Sequence, residues 1–336
     1  MSGFGIDLGT ANTVVYHPRN GVVVDEPSVM VVRNPAGAKR IRPLMVGREA
    51  RALTGRCPNG LVTLRPLHDG VIVDLEVARA YLSGLPVVTR RGWTLLRHRA
   101  VIGVPAGATP LEKRALVEAA DEAGLRRVRL VAEPIAGALG CGINPLEPRA
   151  HMVVDVGGGT SEVTAFCFGG ILTHRSCRVA GDEMTLALYR YLRNEHQLIV
   201  GELTAESVKC QLAAEENLSL IAQGLDAATG RPRLVTLGVG EVMDALRPTA
   251  DTIIATLANV LEDLPAQAVN DILEEGVWAI GGGVLFRGFD KLLEDSFGFS
   301  VRLADDPLTC VAAGAAACLA HQEVLEAFDG QVAGLG

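Results

Sequence analysis

The chain has 336 residues, a formal charge of −8, 49% hydrophobic and 21% charged residues. That length suits roughly two domains of ~100–200 residues each, and the apolar content is enough for substantial cores. Net acidity argues against nucleic acid as a partner, and an aromatic content of 4% disfavours a base-stacking surface. No apolar run reaches the ~18 residues of a membrane span, and no signal peptide is expected. The cysteines (57, 141, 167, 177, 210, 310 and 318) are scattered, odd in number and nowhere CxxC. They read as reduced, packed thiols of a cytoplasmic protein, not as a disulfide frame or a zinc site. The histidines form no HxxxH or HExxH pattern.

Residues 4–16 predict a hairpin: an apolar strand ending at Asp7, a small polar turn through Gly9, Thr10, Ala11 and Asn12, then a β-branched strand. Residues 21–32 supply two more strands. From 34 to 74 the pattern is short and broken by Pro, Gly and Arg, with one helix-like piece at 46–54, as in a small inserted subdomain. A helical pattern returns at 75–83. Residues 88–99 form an Arg-rich connector with Trp93, Leu95 and Leu96 in its middle. Two readings stand there: apolar residues folded back onto the core, or an apolar tip flanked by arginines and suited to an anionic membrane surface.

Residues 100–105 read as a buried strand. Thr109-Pro110-Leu111-Glu112 is a capping box with Pro at the first helical position, and the helix it opens runs to Gly124. A strand at 128–131 turns through Ala132-Glu133-Pro134 into a helix at 135–140. Glu133 thus stands where a strand exits into a helix, the place where active sites of open α/β sheets gather. A plain helix-N-terminal charge is the other reading.

The most informative stretch is 152–165, with Asp155, Gly157, Gly158, Gly159 and Thr160. An apolar strand ends in Asp, turns through three glycines and resumes as an alternating strand. Such glycines let backbone N–H groups converge on an anion. A carboxylate beside such a nest calls for a cation such as Mg²⁺ between the two. A tight hairpin with no ligand is the bland alternative. Setting Asp7 over Asp155 shows the same grammar twice, so two related halves are expected to face a shared metal–nucleotide.

Further on, helices are expected at 181–195 and from about Thr204, with Glu206 and Lys209 on one face as a surface ion pair or as ribose contacts. A small β element surrounds 229–232, and separate helices are expected at 241–247 and 249–264. Residues 277–285 read as a strand running into Gly281, Gly282 and Gly283, with the backbone close to a flat group such as a base or sugar. A helix at 289–297 and one last helix at 308–328 complete the chain.

These residues resemble the actin–Hsp70–sugar kinase superfamily and, within it, the MreB/Mbl bacterial actins, as a divergent paralogue. The resemblance runs over nearly the whole chain, through Gly5-Ile6-Asp7-Leu8-Gly9-Thr10-Ala11-Asn12-Thr13, Glu26-Pro27-Ser28-Val29, Arg65-Pro66-Leu67, Asp69-Gly70-Val71-Ile72, Glu133-Pro134, Val154-Asp155-Val156-Gly157-Gly158-Gly159-Thr160, Gly181-Asp182-Glu183-Met184 and Asp306-Pro307-Leu308-Thr309-Cys310-Val311. It implies an α/β, actin-like (ribonuclease H-like) duplicated fold with nucleotide in the central cleft. The implied divisions are 1–32 with 75–140 and 305–336 (subdomain IA), 33–74 (IB), 141–180 with 243–304 (IIA) and 181–242 (IIB).

The resemblance further implies ATP or GTP with Mg²⁺, held through water by Asp7 and Asp155, and phosphates cradled by Gly9 to Asn12 and Gly157 to Gly159. Glu133 and Thr160 fall on the hydrolysis positions, Glu206 and Lys209 on the ribose and base-edge contacts, and Gly281 to Gly283 on the adenosine loop. It implies a slow ATPase coupled to polymerisation into protofilaments of this same chain. The filaments would lie peripherally on the inner face of the plasma membrane, with cell-wall synthesis and shape proteins as partners. A small-molecule kinase or a chaperone-type ATPase of the same fold is the alternative. The chain departs from the family at Ala132, at Val179-Ala180-Gly181, and in a shortened stretch after Lys209.

Overall fold

A computed structural model describes residues 3–33, 40–85, 99–214 and 219–329. The chain starts with strands β1 (Gly3–Leu8), β2 (Asn12–His17) and β3 (Gly21–Pro27), which form an antiparallel meander. Strands β4 (Met30–Arg33), β5 (Pro43–Val46) and β6 (Leu61–Leu64) make a small separate sheet, with the one-turn helix α1 (Arg48–Arg51) between the last two. The helix-like piece expected at 46–54 is thus confined to α1. The short pair β7 (Leu67–His68) and β8 (Val71–Ile72) leads into helix α2 (Leu75–Gly84). Asp74 caps that helix by accepting from the amides of Glu76 and Val77.

Strands β9 (Arg99–Val104) and β10 (Arg126–Ala132) add to β1 in parallel, so the first large sheet has the order β10-β9-β1-β2-β3. Helix α3 (Pro110–Glu122) joins them and opens with the expected capping box. The Glu112 amide donates to the Thr109 hydroxyl at 3.2 Å, and the Thr109 amide donates to the Glu112 carboxylate at 2.7 Å. Helix α4 (Glu133–Gly140) follows β10 directly.

The second large sheet repeats this plan. Strands β11 (His151–Val156), β12 (Ser161–Cys167) and β13 (Gly170–Cys177) form the meander. Helix α5 (Gly181–Asn194), strand β14 (Leu198–Ile199), helix α6 (Glu202–Ala213), the hairpin β15 (Ser219–Asp226) and β16 (Pro232–Gly238), and helices α7 (Val239–Glu262) and α8 (Ala266–Glu275) come next. Strand β17 (Val277–Ile280), a 3₁₀ turn (Gly282–Leu285), helix α9 (Phe289–Phe297) and β18 (Val301–Leu303) then complete the sheet β13-β12-β11-β17-β18, with β17 and β18 parallel to β11. Both sheets are an antiparallel meander with two parallel strands added on the side of its first strand. The expected duplication is therefore present in the backbone. Helices α10 (Cys310–Ala317) and α11 (Gln322–Phe328) end the described chain.

Two helix expectations are corrected. Residues 241–247 and 249–264 are not separate helices, because α7 runs unbroken through Pro248. Proline there removes one backbone hydrogen bond, at a cost of ~3 kcal/mol. The buried stripe Val242, Leu246, Ala250, Ile253, Leu257 and Val260 continues in phase across it, and burying large apolar side chains at ~1.5–3 kcal/mol each outweighs that cost. Conversely, the final helix expected at 308–328 is two. After α10 the amides of Leu319 and Ala320 shorten to i→i−3 bonds, and the Gln322 side chain donates to the freed carbonyls of Cys318 and Leu319. Helix α8 and strand β13 lie outside the elements expected from the sequence, although Ala268, Val269, Ile272 and Leu273 fall at helical spacing in α8.

Three large cores result. One lies between the first sheet, α2 and α3, and one between the second sheet and α5 to α7. The third joins the two sheets: Val101, Val131 and Ile135 pack with Val153, Phe166 and Ile280. That shared core brings the ends of β1 and β11, and so Asp7 and Asp155, to one place.

Candidate active site

The two hairpin turns are built alike. The Gly9 amide donates to the Asn12 carbonyl and the Gly157 amide to the Thr160 carbonyl, both at 3.0 Å. Each turn is also anchored from below by the first hydroxyl of its second strand. Thr13 meets Ser28 at 2.9 Å, and the Tyr81 hydroxyl donates to Thr13 at 3.0 Å. Burial, against the lowering effect of the hydrogen bonds to Thr13 and Ser28 and with a small push from the Glu26 charge, raises the Tyr81 phenol to about 12, so it serves as a neutral donor. In the second hairpin Ser161 donates to the Val179 carbonyl at 2.7 Å. The Gly181 and Asp182 amides donate to the Gly157 and Gly158 carbonyls at 3.1 and 2.7 Å. Loops fixed this way hold their amides in place before any ligand arrives.

Between the hairpins lies a cavity of about 440 Å³. Asp7, Glu133 and Asp155 line it, as do Gly9 to Asn12, Gly157, Gly158, Thr160, Glu206, Lys209 and Gly281 to Gly283. Gly159 does not line it; it is packed against Asp69 and Thr10. Gly281 has φ +84, and a Cβ there would stand 2.5 Å from an Asp155 carboxylate oxygen and 2.4 Å from the Val156 carbonyl. Only glycine fits at that approach. Glu206 and Lys209 are paired at 2.7 Å, as the ion-pair reading expects, and the pair lines the cavity wall instead of standing on the open surface. Burial acts to raise the Glu206 carboxyl, but the Lys209 ammonium and hydrogen bonds from Lys209 and Thr185 hold it below the usual range.

The floor of the cavity is acidic. Burial, then the neighbouring Asp155 charge, push the Asp7 carboxyl up to about 7. Burial alone does the same to Asp155. Burial together with Asp7, Glu162 and Asp155 holds Glu133 well above the ordinary carboxylate range. Carboxylates crowded in low dielectric cannot all ionise without a counter-charge. Among the described residues no three His, Cys, Asp or Glu side chains converge to hold a metal ion directly. The arrangement therefore suits a hydrated cation beside an anion cradled by the glycine turns, and not a closed protein cage.

The family model described as MreB/Mbl protein matches residues 1–327. The chain belongs to the MreB/Mbl family. It is 36% identical over 327 residues to the cell shape-determining protein Mbl of Bacillus subtilis strain 168, covering 96% of each chain. It is 37% identical to the cell shape-determining protein MreB of Escherichia coli K12, over 92% of this chain and 90% of that one. The crystal structure of MreB5 of Spiroplasma citri bound to AMPPNP superposes with a TM-score of 0.87 at 30% identity, covering 97% and 98% of the two chains. Its ADP-bound structure fits equally well. The actin-like fold expected for an MreB/Mbl chain is thereby the fold found.

Several residues of this MreB/Mbl site escaped the sequence reading. Arg51 of α1 reaches the cavity wall, close enough to act on the Glu206 charge. Arg65 bridges to Asp182 at 3.3 Å and to Glu202 at 2.5 Å across the cleft mouth. Arg51 has only a charge in a broken stretch to mark it, whereas Arg65 stands in the Arg65-Pro66-Leu67 motif of the resemblance, which assigns it no role. Glu162, 3% exposed, lies among the acids on the floor. Its signal was available: it faces Asp155 across the hairpin, where the first hairpin has Val14 facing Asp7. The apolar tip at Trp93, Leu95 and Leu96 lies outside the described residues. No helix among the described residues is long and apolar enough to cross a membrane.

Proposed function

We propose that this chain is a nucleotide-dependent, filament-forming bacterial actin that works on the inner face of the plasma membrane and organises cell-wall synthesis and cell shape. One observation carries the reading: an MreB/Mbl chain presents an acid-floored cavity between two matched glycine hairpins. The MreB5 complexes with AMPPNP and ADP support a nucleotide in that cavity. The proposed divisions remain 1–32 with 75–140 and 305–336, 33–74, 141–180 with 243–304, and 181–242, with the cavity where they meet.

The amides of Gly9 to Asn12, Gly157 and Gly158 would take the phosphates of ATP or GTP, with Gly159 shaping the turn from outside the cavity. Glu206, Lys209 and the Gly281 to Gly283 turn would take the sugar and base. Asp7 and Asp155 would hold Mg²⁺ through water, and their crowding without a cation is what supports the fit. When bound, the metal supplies charge neutralisation to the phosphates. Glu133 and Thr160 orient the attacking water, with Glu133 able to accept its proton. Positioning of this kind accounts for most catalysis of phosphoryl transfer. Slow hydrolysis coupled to polymerisation follows as the activity.

Residues 90–99 supply the membrane contact. Two leucines and a tryptophan give ~5–9 kcal/mol if fully inserted, at ~1.5–3 kcal/mol per large side chain and before ordering costs. Each nearby arginine adds ~1 kcal/mol at an anionic surface. One subunit binds reversibly, and a filament gains avidity. Sedimentation with and without Mg–ATP, followed by negative-stain imaging, tests the core of this reading. Failure of the protein to pellet or to show filaments with nucleotide at micromolar concentrations would count against it.

A further inference from the structure

Glu162 is buried, yet among the described residues no Lys or Arg pairs with it. What it touches is the other half of the molecule. Its carboxylate accepts from the Ala106 amide at 2.9 Å and from the Gly107 amide. Those amides belong to residues 105–108, the loop between β9 of the first sheet and α3. Glu133, the first residue of α4, packs its side chain against the end of β9: a Cβ at Gly103 would lie 3.1 Å from the Glu133 Cγ. The duplication shows that the hairpin does not need an acid there. In the first copy, Val14 occupies the register position and faces Asp7. Burying a carboxylate between Asp155 and Glu133 costs free energy that a valine would avoid.

We infer that Glu162 is a positioning residue for hydrolysis: it straps the 105–108 loop of the first half to the second half and so sets Glu133 at its working distance when the cleft is closed. It acts through Ala106, Gly107 and Glu133 and does not touch the phosphates. The nucleotide is gripped by the hairpins whether or not the strap is fastened. Loss of Glu162 therefore lowers the rate of the chemical step and leaves binding nearly unchanged. This inference rests on the proposed hydrolytic role of the cavity.

The test compares full-length wild type, Glu162→Gln, Glu162→Val and Glu133→Ala with Mg–ATP, measuring affinity by calorimetry and the rate by single-turnover phosphate release. Glu162→Gln and Glu162→Val should bind within about threefold of wild type and release phosphate at least about tenfold more slowly. Gln, which keeps a carbonyl acceptor for Ala106, should retain more rate than Val, and that ordering is not expected of a mere packing defect. Rates within about twofold of wild type for both variants, with Glu133→Ala slowed, overturn the strap. So does a loss of affinity equal to the loss of rate. If wild type releases no phosphate, or Glu133→Ala is as fast as wild type, the hydrolytic reading itself has failed and the inference falls with it.

Discussion

Gly158 and Ala11 meet across the cleft: a Cβ placed on Gly158 would stand 2.8 Å from the Ala11 Cβ and 2.9 Å from its amide nitrogen. The two hairpins therefore interlock tip to tip, and the residue at 158 sets how closely the halves approach. Gly158→Val should hold the cleft ajar. Affinity for Mg–ATP should fall by about tenfold or more, equivalent to ~1.4 kcal/mol, with far-ultraviolet circular dichroism unchanged. Calorimetric titration checks this, and undiminished affinity would mean the halves need not approach so closely around nucleotide.

Removing one acid should uncouple the site from its metal. Asp155→Ala leaves Asp7 alone to hold Mg²⁺, and the affinity for Mg–ATP should drop by about a hundredfold. The more specific sign is loss of Mg²⁺ dependence when nucleotide affinity is measured over a magnesium series. A variant that still binds Mg–ATP like wild type would show that Asp155 has another task.

Glu133→Ala should separate binding from hydrolysis. Its expected loss is ~10²–10⁴-fold in phosphate release, the usual contribution of a positioned general base, with affinity retained. Filaments formed with ATP should then persist longer in negative-stain time courses. Wild-type turnover, or loss of nucleotide altogether, would remove Glu133 from the role proposed for it.

The acidic floor makes stability depend on pH in a defined direction. Asp7 and Asp155 are pushed up to about 7 from an ordinary 3.8, and Glu162 up to about 7 from 4.5. Between those values the folded state holds more protons than the unfolded state, so stability falls as pH rises. Without nucleotide and with a chelator present, the melting temperature should decline from about pH 4 to pH 7, as linkage requires. Asp7→Asn should flatten that decline, and Mg–ATP should offset it at pH 7. A melting temperature that climbs through this window would contradict the burial of uncompensated carboxylates.

Lipid binding should need both polymerisation and the apolar tip. Wild type and a Trp93→Ser, Leu95→Ser, Leu96→Ser variant are to be co-sedimented with anionic liposomes, with filament pelleting subtracted. The variant should lose most of its lipid-dependent pelleting while still forming filaments. Equal binding by the two proteins would make residues 90–99 a connector or part of the core.

The local grammar of the chain was enough to determine the duplicated hairpins, the strand exits carrying Asp7, Glu133 and Asp155, the capping box at Thr109 and Glu112, and the family. These are short-range facts: an apolar run, a glycine turn and a cap each declare themselves within about a dozen residues. Helix α7 was another matter. Pro248 stops a helix by local rules, and only the buried stripe from Val242 to Val260 shows that tertiary packing overrides them. The break after α10 also needed the structure, because an apolar run buried on all sides has no periodicity to end. The roles of Arg51, Arg65 and Glu162 lay furthest from view. Each depends on a partner more than 50 residues away in sequence, as with Glu162 and Ala106, or across the cleft, as with Arg65 and Asp182. Closing the two sheets onto a shared core creates those pairs, and sequence spacing does not encode how close the halves come.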